Sequence, residues 1–310
     1  MKFSIGSDPE FILIDENYRP KSSIGILQSK TSSFNKIYYD NVLAEVQVKP
    51  SFKKECFVKN IKHSLNELSN KIKPFRISTS SFCNFPIAEL EHKDSFKFGC
   101  ESEYCAYELE RIQKNNIKKL FKESNMRFAG GHIHIGTEIK GQENQIMLVR
   151  MLDLFLGLPL ILIDNSKGCE ERRFYFGNFG RYRKKKYGIE YRTPSNFWIF
   201  NQETIGLVYD IIDFVIKFCQ KQKHFDFWEV DYDKLNSDDF WNHGGDPSQC
   251  HKCFGYNINS LREIRNKKQL KENFKLIEIL ENHMPIDILE KIKGIEKKEL
   301  LGTTFHMNRF

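Results

Sequence analysis

RFAGGHIHIG, residues 127–136, sets His132 and His134 two positions apart, between a glycine pair and a single glycine. In an extended strand every second side chain turns to the same face, so both imidazoles share a side while Ile133 and Ile135 take the other. A strand with two polar residues turned to solvent satisfies the same pattern. What separates the readings is what other strands present on that face.

Three further segments supply it. In LAEVQVK (43–49) Ala44, Val46 and Val48 oppose Glu45, Gln47 and Lys49. In GIEYRTP (188–194) Ile189 and Tyr191 oppose Glu190 and Arg192. SDPEFILI (7–14) is apolar on both faces except at its start, where Asp8 and Glu10 share a side. Carboxylates, imidazoles and an arginine together suit divalent cations and phosphate. Singly, each has an ordinary alternative: a solvent-facing H-x-H pair, a cross-strand Glu–Arg ion pair, a proline that merely opens a strand. The joint reading is stronger, because carboxylates from three separate segments can be aimed at one concave face.

A chain of 310 residues buries a large core, as one big domain or a core with an appendage. Its 40% apolar and 29% charged residues are those of a soluble globular protein. The formal charge of +7 accommodates phosphate-bearing ligands but falls short of a nucleic-acid-binding tail. Eight scattered cysteines and an N-terminus, MKFSIGSDPE, without an apolar leader lead us to expect reduced thiols and a cytoplasmic protein. The longest apolar run, IMLVRMLDLFLGLPLILID (146–164), carries Arg150, Asp153, Gly157 and Pro159. It reads as a buried helix running into a strand or loop, not a membrane span.

Along the chain, strands and turns fill residues 1–50. Phe57, Ile61, Leu65, Leu68 and Ile72 mark a helix over 53–73, FRISTSSFCNF (75–85) a strand, and NNIKKLFKES (115–124) an unresolved charged segment. A helix begins near Gln142, a hairpin-like stretch occupies 174–200, and 201–223 is strongly helical. Beyond Phe225 the chain is charged and mostly helical, with LREIRNKKQLKENFKLIEILENH (261–283) its best helix. The pattern is α+β, with a core over 1–224 and a helical extension packed on it over 225–310.

RRFYFGNFGRYRKKKYG (172–188) interleaves Arg172, Arg173, Arg181, Arg183 and three lysines with aromatics. The triplet Lys184–Lys186 reads as a solvated hairpin tip. Arg173 and Arg181 precede a glutamate-bearing strand and suit a phosphate clamp for a nucleotide, which no glycine-rich phosphate loop in the chain would hold otherwise.

Six ordered motifs now carry a resemblance: GSDPEF, DNVLAEVQVKP, FGCESEYCAY, RFAGGHIHIG, LGLPLILID and GRYRKKKYGIEYRTPSNFW. Over most of residues 1–200 the chain resembles the phage-type COOH–NH2 ligases, the type 2 amidoligases of the glutamine synthetase and glutamate–cysteine ligase superfamily. The resemblance implies a curved, mostly antiparallel sheet with the active site on its concave face and helices behind it. It also implies ATP-dependent joining of a carboxylate to an amine through an acyl phosphate, with small molecules or peptides as substrates and Mg²⁺ or Mn²⁺ as cofactor. By likeness to the acidic, G-M-H-x-H and E-x-R strands of glutamine synthetase, Asp8 and Glu10 would be metal-side carboxylates, and Glu10, Glu45, His132 and Glu190 would bind metal. His134, Arg173, Arg181 and Arg192 would meet the nucleotide, and Glu190, Arg192 and Arg181 would be catalytic. Gln47 and Lys49 depart from the pattern. For Cys100, Glu101 and Glu103 a substrate-loop role and plain packing stay open.

Two other readings compete. A metal-dependent hydrolase or oxygenase would use His132, His134 and a carboxylate as a facial triad. A nucleic-acid-binding module would use the basic hairpin, against which the acidic face argues. In NHGGDPSQCHKC (242–253) Cys250 and Cys253 have C-x-x-C spacing, but with only His243 or His251 nearby they fall short of a complete zinc site. No feature fixes the oligomeric state.

Overall fold

A computed structural model describes residues 2–30, 36–97, 103–109, 124–139, 141–221 and 258–300. The segments NNIKKLFKES, for all but its last residue, and NHGGDPSQCHKC lie outside these, as do Cys100 and Glu101.

The architecture is α+β, and its centre is a six-stranded antiparallel sheet. The strands, in chain order, are β1 (Ser4–Ser7), β7 (Val48–Ser51), β10 (Tyr104–Cys105), β12 (Ile133–Gly136), β13 (Arg181–Lys185) and β14 (Gly188–Tyr191). Their spatial order is β10-β13-β14-β12-β1-β7. A three-stranded sheet stands beside it, β2 (Glu10–Phe11) paired with β6 (Leu43–Val46) and β6 with β5 (Ile37–Asp40). Two small sheets complete the set: β3 (Leu13–Ile14) with β4 (Pro20–Lys21) and β8 (Arg76–Ile77), and β9 (Phe82–Asn84) with β11 (Met126–Phe128). FRISTSSFCNF thus forms two short strands in different sheets, because STSS (78–81) interrupts its apolar alternation.

Ile5, Ile133, Ile135, Ile189 and Tyr191, all fully buried, form one face of the central sheet. Helices α1 (Lys54–Lys71), α2 (Gln142–Ile163) and α4 (Gln202–Lys221) close over that side, α1 against β7 and α2 against β14. A short helix, α3 (Cys169–Tyr175), follows α2, so the stretch before β13 is helical rather than part of the hairpin.

Helix α2 corrects the expectation of a helix giving way to a strand or loop. It runs unbroken to Ile163 through a π-turn at Asp153–Gly157, in which Leu158 N–H reaches back to the Asp153 carbonyl. Pro159 then falls in the first turn of a fresh helical segment, where its missing N–H is harmless. The helix is long and apolar enough to cross a membrane, yet almost all of it is buried inside the protein.

The C-terminal stretch is broken where one long helix was expected. A 3-10 turn (Ile258–Glu263) is followed by α5 (Lys267–Glu272), α6 (Phe274–His283) and α7 (Ile286–Leu300). Asn266 and Asn273 each accept a backbone N–H of the next turn, from Gln269 and Leu276, and so start new helices. Leu270, Leu276, Leu280, Ile288 and Ile292 join the same core as the sheet and α4. Cys56, Cys83, Cys105, Cys169 and Cys219 are free thiols.

Candidate active site

Register builds the site. In antiparallel pairing, directly opposed residues share a face. His134 on β12 stands opposite Glu190 on β14, which stands opposite Arg183 on β13. Gly6 of β1 faces His134 from the other side. Just past the end of β1, Asp8 Oδ1 lies 3.0 Å from His134 Nε2 and 3.5 Å from His132 Nδ1. Glu190 Oε2 lies 4.0 Å from His134 Nε2. Asp8, His134 and Glu190 thus bring three ligand atoms within 4.8 Å of one another. Those atoms, Asp8 Oδ1, His134 Nε2 and Glu190 Oε2, are buried and complete no well-aligned hydrogen bond.

A fan of cations faces this group. Arg183 Nη1 is 3.2 Å from Glu190 Oε1, Lys185 Nζ is 3.0 Å from Oε2, and Arg192 also bonds Glu190. Alternation sends Arg181, Arg183 and Lys185 to the site and Tyr182 to the core. Lys185 therefore belongs to the site, not to a solvated tip. These basic residues turn toward carboxylates rather than presenting the outward stripe that a nucleic-acid surface requires.

Burial opposes the Glu190 charge, but Arg192 first and then Arg183 outweigh it, despite Asp8, and hold the carboxyl down to about 2. Burial likewise works against the charge on Asp8 and is overcome by His132 and His134, which carry its carboxyl well below the usual range. His134 is raised: burial lowers it, and Asp8 and Glu190 more than compensate.

A second acidic group sits on the neighbouring sheet. Glu10 pairs with Glu45, and Glu45 with Tyr38. Glu10, Asp40 and Glu45 again place ligand atoms within 4.8 Å of one another. Lys30 Nζ lies 3.2 Å from Glu45 Oε1, and the Tyr38 hydroxyl donates to the same oxygen at 2.5 Å. Burial, then Asp8 and Asp40, pushes the Glu45 carboxyl well above its ordinary value, against the pull of Lys30. Pro9 divides the two groups: Asp8 joins the first and Glu10 the second.

Backbone approach explains the glycine pair before His132. Gly130 N–H donates to Glu10 Oε2 at 2.8 Å, and a Cβ on Gly130 would stand 2.4 Å from His132 Nε2.

Of the residues singled out from sequence, Glu10, Glu45, His134, Glu190, Arg181 and Arg192 come together here. His132 is buried beside Asp8, with its Nδ1 3.5 Å from Asp8 Oδ1 and 3.4 Å from an Arg192 nitrogen; the group within 4.8 Å takes its imidazole from His134. Both imidazoles lie beside the Asp8 carboxylate, and the tightest group joins His134 with Asp8 and Glu190. Arg173 is elsewhere. Its guanidinium reaches the Asp164 carboxylate at 3.3 Å, the Arg265 carbonyl at 2.7 Å and Cys169 Sγ at 3.1 Å, and so ties α3 to the core.

Two participants, Asp40 and Lys30, escaped the sequence reading, and a third, Glu103, had its role left open there. Glu103 lies 3.3 Å from Arg192 Nε and 3.8 Å from Arg181 Nη1, which gives the GCESEYC motif a place at the site. Asp40 had a signal in YYDN at a strand end. Lys30 had none.

Residues 106–287 match the model of the family described as Phage phiEco32-like COOH.NH2 ligase-type 2. The match spans more than half of the chain, and the protein belongs to that family. His132, His134, Glu190 and Arg192 fall inside the matched stretch; Asp8, Glu10, Asp40 and Glu45 precede it. No curated protein matches the chain in sequence. Among solved structures, a bifunctional glutathione synthetase from Pasteurella multocida is similar over 96% of this chain and 47% of its own, at 10% identity and a TM-score of 0.48. The chain spans about half the length of that protein.

Proposed function

We propose that the protein is an ATP-dependent carboxylate–amine ligase with a glutamine synthetase-like catalytic core over residues 1–224, against which the C-terminal helices pack. The observation that carries the reading is the convergence of Asp8, His134 and Glu190 with Arg181, Arg183, Lys185 and Arg192 on one sheet face, in a chain of a COOH–NH2 ligase family.

The residues fit a divalent cation. Asp8, His134 and Glu190 each offer a ligand atom within 4.8 Å of the others, so two carboxylates and an imidazole form one buried donor set. An oxygen-rich set with one imidazole suits Mg²⁺ or Mn²⁺ better than zinc. Asp8, His134 and Glu190 would hold one ion, and Glu10, Asp40 and Glu45 offer a second set. A cation held there supplies charge neutralisation at the terminal phosphates of ATP.

The chain's own groups do the rest. Arg192, suspended between Glu190 and Glu103, presents a guanidinium to the γ-phosphoryl group, and Arg181 and Arg183 flank it. A substrate carboxylate oxygen attacks the γ-phosphorus, the bond to the β–γ bridging oxygen breaks, and ADP departs with the electron pair. The amine nitrogen then attacks the acyl carbon, losing a proton as phosphate leaves. This chemistry needs positioning and charge stabilisation, not a serine or cysteine nucleophile.

The test is nucleotide chromatography of reactions holding ATP, magnesium and a panel of amino acids, peptides and amines. ADP and phosphate are expected, released only when a carboxylate and an amine are both present. AMP and pyrophosphate as substrate-dependent products would overturn the mechanism.

A further inference from the structure

Beneath the site, on the apolar side of the central sheet, lies a carboxylate that the ligation chemistry does not use. Asp153 is fully buried at the start of the π-turn in α2. Its Oδ2 accepts the Gly180 N–H at 2.6 Å, and its Oδ1 accepts the Tyr191 hydroxyl at 2.7 Å and lies 3.4 Å from Thr193 Oγ1. These partners bracket the site residues. Gly180 precedes Arg181, Tyr191 stands between Glu190 and Arg192, and Thr193 follows Arg192. The two strands meet there, through the Arg192 N–H to the Arg181 carbonyl at 3.0 Å.

The helix is shaped for this contact. A π-turn shifts the backbone by one residue and is frequent at functional sites. One turn on, Gly157 admits the close approach: a Cβ there would stand 2.5 Å from Phe179 Cε1 and 2.8 Å from the Tyr191 hydroxyl. Packing alone would be met by leucine, without the desolvation penalty that burial places on a carboxylate.

We propose that Asp153 is a positioning residue: from behind the sheet it fixes β13 and β14 so that Arg181, Glu190 and Arg192 keep their places around the transferring phosphoryl group. The functional half of this statement rests on the ligase reading above; the mechanical half does not.

Tyr191→Phe removes one hydroxyl and keeps the ring, and Asp153→Asn keeps the shape while turning one acceptor into a donor. Both are measured in the full-length protein by amide hydrogen exchange and by steady-state kinetics. Each variant is expected to raise exchange over residues 180–193 by about tenfold or more, with α4 as protected as in the wild type. kcat should fall by about ten- to a hundredfold, with the KM for ATP little changed. Unchanged exchange in the hairpin, or raised exchange with unchanged kcat, overturns the proposal. Should Asp153→Asn fail to fold, Tyr191→Phe decides alone. A wild-type protein with no ATP-dependent ligation sinks the ligase reading instead, and the exchange data still show whether Asp153 holds the hairpin.

Discussion

Asp8 Oδ1 and His134 Nε2 stand 3.0 Å apart, joining the segment after β1 to the middle of β12 in an ion pair that water scarcely reaches. Lys185, Glu190 and Tyr187 surround the same imidazole: the Tyr187 hydroxyl is 2.7 Å from Nδ1, and its ring stacks on the histidine at 5.9 Å. The pair couples two segments far apart in sequence, and its charges set how the metal-free protein answers to pH.

His134 is raised above its ordinary value of 6.5, so its contribution to stability is fully present below that value and is lost as pH rises through the folded one. The metal-free His134→Gln variant should trail the wild type in unfolding free energy most at about pH 5, with the gap narrowing toward about pH 9. Urea titrations across that range measure it. A gap that stays constant or widens would show that the imidazole charge adds nothing.

Glu190 has the opposite sign. Its carboxyl is depressed from 4.5 to about 2, so its contribution holds above the unfolded value and disappears as pH falls through the folded one. Glu190→Gln should abolish magnesium-dependent turnover. The sequence alone suggests that this isosteric change spares the fold, but Glu190 is fully buried among Arg183, Lys185 and Arg192, and the variant leaves three cations facing a neutral amide. A loss of about 3 kcal/mol is expected near neutral pH, shrinking as the medium approaches pH 2. Equal stability of the two proteins at pH 7 would contradict it.

Arg192→Lys keeps a positive charge but loses the planar fork that spans Glu190 and Glu103. A point charge cannot hold both carboxylates and meet a phosphoryl oxygen. Single-turnover ADP formation should slow by about a hundredfold, with little change in ATP affinity. A rate within threefold of the wild type would remove Arg192 from the transition state.

Arg173→Met should behave in the reverse way. The methionine fills much of the arginine's volume but leaves Asp164 without its cation and the Arg265 carbonyl without a donor. Stability should drop by about 3 kcal/mol, while kcat per folded molecule stays at the wild-type level. Weakened ATP binding at full folding would return Arg173 to the nucleotide.

Alternation by itself determined which residues share a face. His134, Glu190 and Arg192 were legible because a strand repeats every two residues whatever surrounds it, and Phe57, Ile61, Leu65 and Leu68 marked α1 by their helical period. Which faces meet was decided only by the tertiary structure. Strand order and register brought His134 rather than His132 opposite Glu190, and the Pro9 break sent Asp8 and Glu10 to different acidic groups. The π-turn that carries α2 past Pro159, and the inward turn of Lys185, likewise come from contacts between distant segments. Local sequence fixes a side chain's direction relative to its own backbone, but a charge becomes a ligand or a clamp only by the company that long-range pairing gives it.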